Sequence, residues 1–136
     1  MKEHSSRIVR RPATREDILA FARASDTPVT PTALAWVGEC DGKVLALGGF
    51  ARGADGRWIG FVDIIPEGRE LLEKNMYVRA ALLRAAIEGL REARKVGFRF
   101  VYAHADTEKK RAAELLMKLG FGPDQRSGYL YRWSPN

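Results

Sequence analysis

The sequence predicts an α/β chain of the α+β type: one mixed, mostly antiparallel sheet flanked by helices, in the order β-α-β-β-β-α-β-α-β. Three observations predict it. Short runs rich in aromatic and β-branched residues recur between turn residues, as strands do. Other segments space their apolar residues as helices do, the longest over 76–95. The length of 136 residues suits a single domain, 1–136, and a hydrophobic share of 46% can fill one core.

Arg7–Arg11 is the first strand, closed by Pro12, which lacks a ladder donor. Thr14-Arg-Glu-Asp17 has the form of a capping box, and Ile18, Leu19, Phe21 and Ala22 follow at helical spacing. Asp26 to Thr32, with Pro28 and Pro31, reads as a loop. Leu34–Cys40 and Lys43–Ala51 are strands around Asp41-Gly42, a tight hairpin signal. Arg52 to Arg57 makes a second turn, and Trp58–Ile65 a third strand of the meander, closed by Pro66. Glu67 to Asn75 is charged and reads as irregular.

Met76–Lys95 is the longest helix, with Met76, Ala80, Leu83, Ala86, Ile87 and Leu90 expected on its buried face. Arg84, Glu88, Arg91, Glu92 and Lys95 form the solvated face, and Gly97 stops the helix. Phe98–Tyr102 reads as a strand. A short helix follows, capped by Asp106 or Thr107, with Ala112, Leu115, Leu116 and Leu119 on one stripe. Gly120 suits the left-handed position past its end, and Phe121 packs back on its last turn. Tyr129–Trp133 is the terminal strand.

Composition narrows the partners. The chain carries 23 basic and 17 acidic residues, a net charge of +6, which favours an anionic partner without choosing one. The single Cys40 excludes an intramolecular disulfide and is expected to be a small buried hydrophobe. No apolar run reaches the roughly 18 residues of a membrane span. Residues 1–6 are short, polar and expected to be flexible, with no secretory signal in them. A cytoplasmic, soluble protein is the expectation. His4 and His104 have no metal-ligand neighbours, so no metal is expected.

The stretch from Lys109 to Phe121 reads Lys109-x-x-Ala112-x-x-Leu115-Leu116-x-x-Leu119-Gly120-Phe121. It resembles the N-x-x-A-x-x-L-Y-x-x-L-G-F segment of the GNAT (GCN5-related N-acetyltransferase) family. The opening Arg-x-Ala-Thr-x-Glu-Asp-Ile and the order of elements along nearly the whole chain are similar too. Two polar positions depart from the family: its Asn is Lys109, and its Tyr, the usual general acid, is Leu116.

The resemblance implies an acyl donor, acetyl-CoA, in a cleft where the fourth and fifth strands splay apart. Its pyrophosphate would rest on amides at the start of the long helix, where free N–H groups and the helix dipole favour an anion. The family writes that loop Q/R-x-x-G-x-G/A; the nearest register here is Arg69-x-x-Leu72-x-Lys74, which lacks both glycines. Glu67, Glu70 and Glu73 would repel phosphates. The implied donor-binding residues are Ile64, Ile65, Arg69, Lys74, Asn75, Met76, Arg79 and Lys109, with an amide near Ile65 facing the thioester carbonyl. Attack needs a neutral amine, hence a base. Asp63, on the fourth strand, is the candidate. Tyr102 and His104, on one face of the fifth strand, are candidate acids in place of Leu116.

The implied reaction is acetyl transfer to an amine of a small-molecule or protein acceptor. The alternative is a catalytically inactive binding or assembly protein of this shape, of the kind bacteriophages encode. It could form a homo-oligomer, with Trp36, Trp58 and Trp133 expected as an exposed partner surface. Nucleic acid is not expected as a partner: Arg7, Arg10, Arg11 and Arg15, and Lys109, Lys110 and Arg111, cluster without a reading motif.

Overall fold

The computed structural model describes residues 8–26, 32–53, 56–104, 112–123 and 130–133. The segment 1–6, the loop through Pro28 and Pro31, the caps at Asp106 or Thr107, Lys109 with its basic neighbours, and Tyr129 lie outside the described residues.

Strand β1 (Ile8–Pro12) leads into helix α1 (Arg15–Ser25). The capping box forms as the sequence predicts: the Thr14 hydroxyl accepts from the Asp17 amide at 3.1 Å, and the Asp17 carboxylate accepts from the Thr14 amide at 2.8 Å. Strands β2 (Thr32–Cys40), β3 (Lys43–Arg52) and β4 (Trp58–Ile64) form the meander. At the β2–β3 turn Asp41 and Gly42 have φ of 53° and 78°, the paired left-handed values of a type I′ hairpin. Helices α2 (Pro66–Lys74) and α3 (Met76–Lys95) follow, then β5 (Val101–His104), α4 (Ala112–Lys118), β6 (Gly122–Pro123) and β7 (Leu130–Trp133).

Among the described residues the sheet has the order β1-β2-β3-β4-β5-β7-β6. Every neighbouring pair is antiparallel except β4–β5. One face carries a cluster of Phe21 from α1 with Val37 and Leu47, flanked by Phe61 and Ile65. The other gathers Phe50, Leu90, Ala93, Val101, Ala103 and Phe121, with Trp58, Phe98, Leu116 and Leu119 packed against it. Trp36 lies beneath α3, 2% exposed. Glycines make its space: a Cβ on Gly48 would stand 2.3 Å from the indole Cζ2, and one on Gly89 3.0 Å from its Nε1.

The structure corrects four readings. Glu67 to Asn75 is not irregular: it forms α2, whose first residue, Pro66, is preset for a helix start. Gly68, Leu71 and Leu72 are its inward stripe, and the charges around them masked it. Phe98 to Phe100 are not strand; Phe98 leaves the ladder to meet Phe50 and Trp58, with ring centroids 5.2 and 5.0 Å away. The buried face of α3 is Val78, Ala85, Gly89, Leu90 and Ala93, while Met76 is 64% exposed. Small residues win that face because the helix must approach over Trp36. Trp36 is therefore core, not a partner surface.

Helix ends follow the sequence. Gly97 has φ of 93° and Phe98 N–H reaches back to Ala93 O; Gly120 has φ of 96° and Phe121 N–H reaches Leu116 O. Leu116, at the position of the family's Tyr, packs against the core.

Candidate functional site

Strands β4 and β5 share a single register pair, Ile59↔Tyr102. Beyond it no further pair joins them among the described residues, so the strands part toward their C-terminal ends. Elsewhere both are firmly held: β4 pairs with β3 from Trp58 to Ile64, and β5 pairs with β7 from Val101 to His104. The opening is thus a gap in the middle of a continuous sheet, with backbone on both walls.

The ladder decides which amides face that gap. Ile65 N–H donates to Leu45 O at 3.0 Å. In an antiparallel ladder, bonded and unbonded positions alternate. Asp63 and Phe61 therefore bond toward β3, while Val62 and Ile64 turn their N–H and C=O groups toward β5. Of the amides near Ile65, that of Ile65 itself is engaged, and Ile64 and Val62 offer the open edge. The sequence does not expose this parity, because the six residues from Arg52 to Arg57 could join β3 and β4 in more than one register.

The side chains sort by face. Asp63 is the register partner of Leu47, which lies in the α1-side cluster, so Asp63 points to that side, where it is exposed. Tyr102, opposite Ile59, faces the same way. Asp63 and Tyr102 share a face but not a centre: four residues of strand separate their levels, about 13 Å. Tyr102 sits at the closed end of the gap, its ring under the Arg57 guanidinium at 4.8 Å. His104 stands two residues nearer the open end, its backbone paired with Leu130. Cys40, 6% exposed, is at the far end of β2, and burial pushes its thiol up, with Asp41 adding to the shift.

Helix α2 begins directly after β4 and α3 follows it at Met76, where two amides of the first turn are already taken. The Asn75 carboxamide oxygen accepts from Tyr77 N–H at 2.9 Å and Val78 N–H at 3.3 Å. Asn75 also closes α2, its N–H bonding Leu71 O at 2.9 Å. Arg79 donates to Leu72 O at 2.5 Å and Glu73 O at 3.2 Å, the last carbonyls of α2. Lys74 bonds Glu70 at 3.0 Å, and Lys43 bonds Glu67 at 2.5 Å. Arg69 is exposed. Gly68 seats α2 on the sheet: a Cβ there would lie 2.8 Å from Ile64 Cγ2 and 3.1 Å from Leu45 O. Sequence signals for these roles existed, in Pro66 at a helix start and Asn75 just before an apolar run.

Among the described residues no group of three metal-ligating side chains occurs, and no helix is long and apolar enough to cross a membrane.

A mixed sheet whose two central parallel strands part is the architecture of the GNAT acetyltransferases, and solved structures match this fold along nearly the whole chain. An N-acetyltransferase from Staphylococcus aureus Mu50 superposes with a TM-score of 0.64 at 17% identity, covering 94% of this chain and 98% of that one. The ribosomal-protein-S18-alanine N-acetyltransferase of Escherichia coli gives 0.60 at 16% identity, with 94% of each chain covered. A GNAT family acetyltransferase from Brucella melitensis, solved in complex with acetyl-CoA, gives 0.57 at 16%, covering 98% of this chain and 90% of that one. At these identities the likeness is one of fold. No family model and no curated protein matches the sequence.

Proposed function

We propose that this protein is a GNAT-type N-acyltransferase, moving an acetyl group from a thioester donor such as acetyl-CoA to an amine of a small molecule or protein. The observation that carries the reading is the single β4–β5 pair, which leaves the Val62 and Ile64 backbone open inside the sheet. A pantetheine arm has two amides and lies extended, so it suits such an edge as an added strand does. The thioester carbonyl, polarised by an amide such as that of Ile64, accepts a neutral amine. A C–N bond forms, the C–S bond breaks, and the proton lost by nitrogen leaves through a base. Asp63 is the carboxylate on β4 for that role. Tyr102, at the closed end, is too far along the strand to act at the same carbonyl, which leaves His104 as the candidate to protonate the thiolate.

The test is thiol release from acetyl-CoA in the presence of primary amines, amino acids and peptides with free N-termini. Wild type should release thiol with at least one acceptor, and Asp63→Asn should lose about tenfold or more in kcat/KM. The reading is overturned if no acceptor supports release and millimolar acetyl-CoA leaves the melting temperature unchanged, since binding to the native state must stabilise it.

A second reading, a non-catalytic binding or assembly protein, is favoured by the two capped amides in the first turn of α3 and by Leu116 packed against the core. It calls for a stable oligomer by light scattering together with silence toward acetyl-CoA.

A further inference from the structure

We infer that the donor is held chiefly by its thioester and pantetheine arm, and that the pyrophosphate of CoA is not read at the start of α3. The inference rests on the acyltransferase reading and narrows its donor class to short pantetheine-type thioesters. Three observations at the start of α3 carry it. First, two amides at the start of the long helix, where the resemblance puts the pyrophosphate, are those of Tyr77 and Val78, and both already bond the Asn75 carboxamide. Second, α2 ends where α3 begins, with Asn75 closing one helix and opening the other. The partial negative charge at the end of α2 therefore sits against the partial positive charge at the start of α3 and cancels much of it.

Third, among the described residues three nearby cations are engaged, while Arg69 is exposed on α2. Arg79 holds the last carbonyls of α2, Lys74 holds Glu70, and Lys43 holds Glu67. Glu67, Glu70 and Glu73 against Arg69 and Lys74 leave α2 with a net charge of −1. A pyrophosphate brought here meets capped amides, a quenched dipole and carboxylates. What the surface offers instead is apolar: Met76 and Tyr77 are 64% and 74% exposed in the first turn of α3. That suits the gem-dimethyl end of a pantetheine chain better than a phosphate.

The experiment compares acetyl-CoA with acetyl-pantetheine as donors for the same acceptor. The two should have kcat/KM values within about threefold, because a removed group that made no favourable contact costs nothing. A preference for acetyl-CoA above about thirtyfold overturns the inference and leaves the acyltransferase reading standing. Asn75→Gly frees the two amides while keeping a residue tolerated at a helix start. In that variant acetyl-CoA should gain over acetyl-pantetheine, and inorganic pyrophosphate should raise the melting temperature, whereas it should leave wild type unmoved. Stabilisation of wild type by pyrophosphate overturns the inference by a route independent of catalysis. If neither donor is consumed by any acceptor, the acyltransferase reading falls, and the donor inference with it. The pyrophosphate measurement still reports whether the helix start is closed.

Discussion

Gly68 is the residue on which α2 turns. Its missing Cβ lets the helix sit against Leu45 and Ile64, where an added methyl would stand 2.8 Å from a side-chain carbon and 3.1 Å from a backbone oxygen. The backbone cannot yield as a flexible side chain can, so Gly68→Ala should destabilise the protein by about 1–3 kcal/mol, read as a lower urea midpoint at unchanged m. Asp17 gives a pH signature. Its carboxylate takes two bonds from Arg11, at 2.7 and 3.1 Å, and one from the Thr14 amide. The Arg11 guanidinium first, then the Thr14 amide, hold it well below its ordinary value of 3.8. The folded state therefore binds that proton more weakly than the unfolded chain. The stabilisation is whole above pH 3.8 and is lost as pH falls through the lower folded value. The stability gap between wild type and Asp17→Asn should shrink from pH 6 toward pH 2 in urea titrations; a gap independent of pH would mean the carboxylate's charge is not what matters.

At the scale of elements, the α2–α3 junction is one device with two faces. Asn75 caps α3, and Arg79 caps α2 from the next helix. Asn75→Ala should cost about 1 kcal/mol, within the usual 0.5–2 for a lost N-cap, and the loss should fall on the first turn of α3. Arg79→Ala should instead loosen the end of α2. Hydrogen exchange separates them: the first variant speeds the Tyr77 and Val78 amides, the second those of Lys74 and Asn75, while β2 and β3 stay protected in both. Equal acceleration in both variants at every one of these amides would show the junction to be a single opening unit.

For the whole molecule, the parting of β4 from β5 divides the sheet into a four-strand part, β1 to β4, and a three-strand part, β5, β7 and β6. The first carries long ladders and both faces of core; the second joins it through one register pair and the side chains of Val101, Ala103 and Phe121. Native-state exchange should therefore be slowest in Trp36–Gly38 and Leu45–Phe50 and about tenfold or more faster in β5, because the shorter ladder opens by a smaller unit. Uniform protection across both parts would mean that packing through α3 makes the sheet one cooperative body.

The sequence by itself determined what is local. Thr14 and Asp17 make a cap, Asp41-Gly42 a hairpin, and Gly97 and Gly120 helix ends, because those geometries depend on residues a few positions apart. Apart from α2 and the two-residue β6, the order of strands and helices followed from the same signals, and with it the likeness to the GNAT fold. Packing decided the rest. The inward face of α3 went to its small residues because Trp36, from a distant strand, fills the space beneath. The amides that face the gap were set by pairing parity between β3 and β4, which the turn from Arg52 to Arg57 does not encode. The state of the helix start was set by Asn75 and Arg79 acting across two helices, so whether a phosphate is welcome there is a property of the assembled junction rather than of any motif within it.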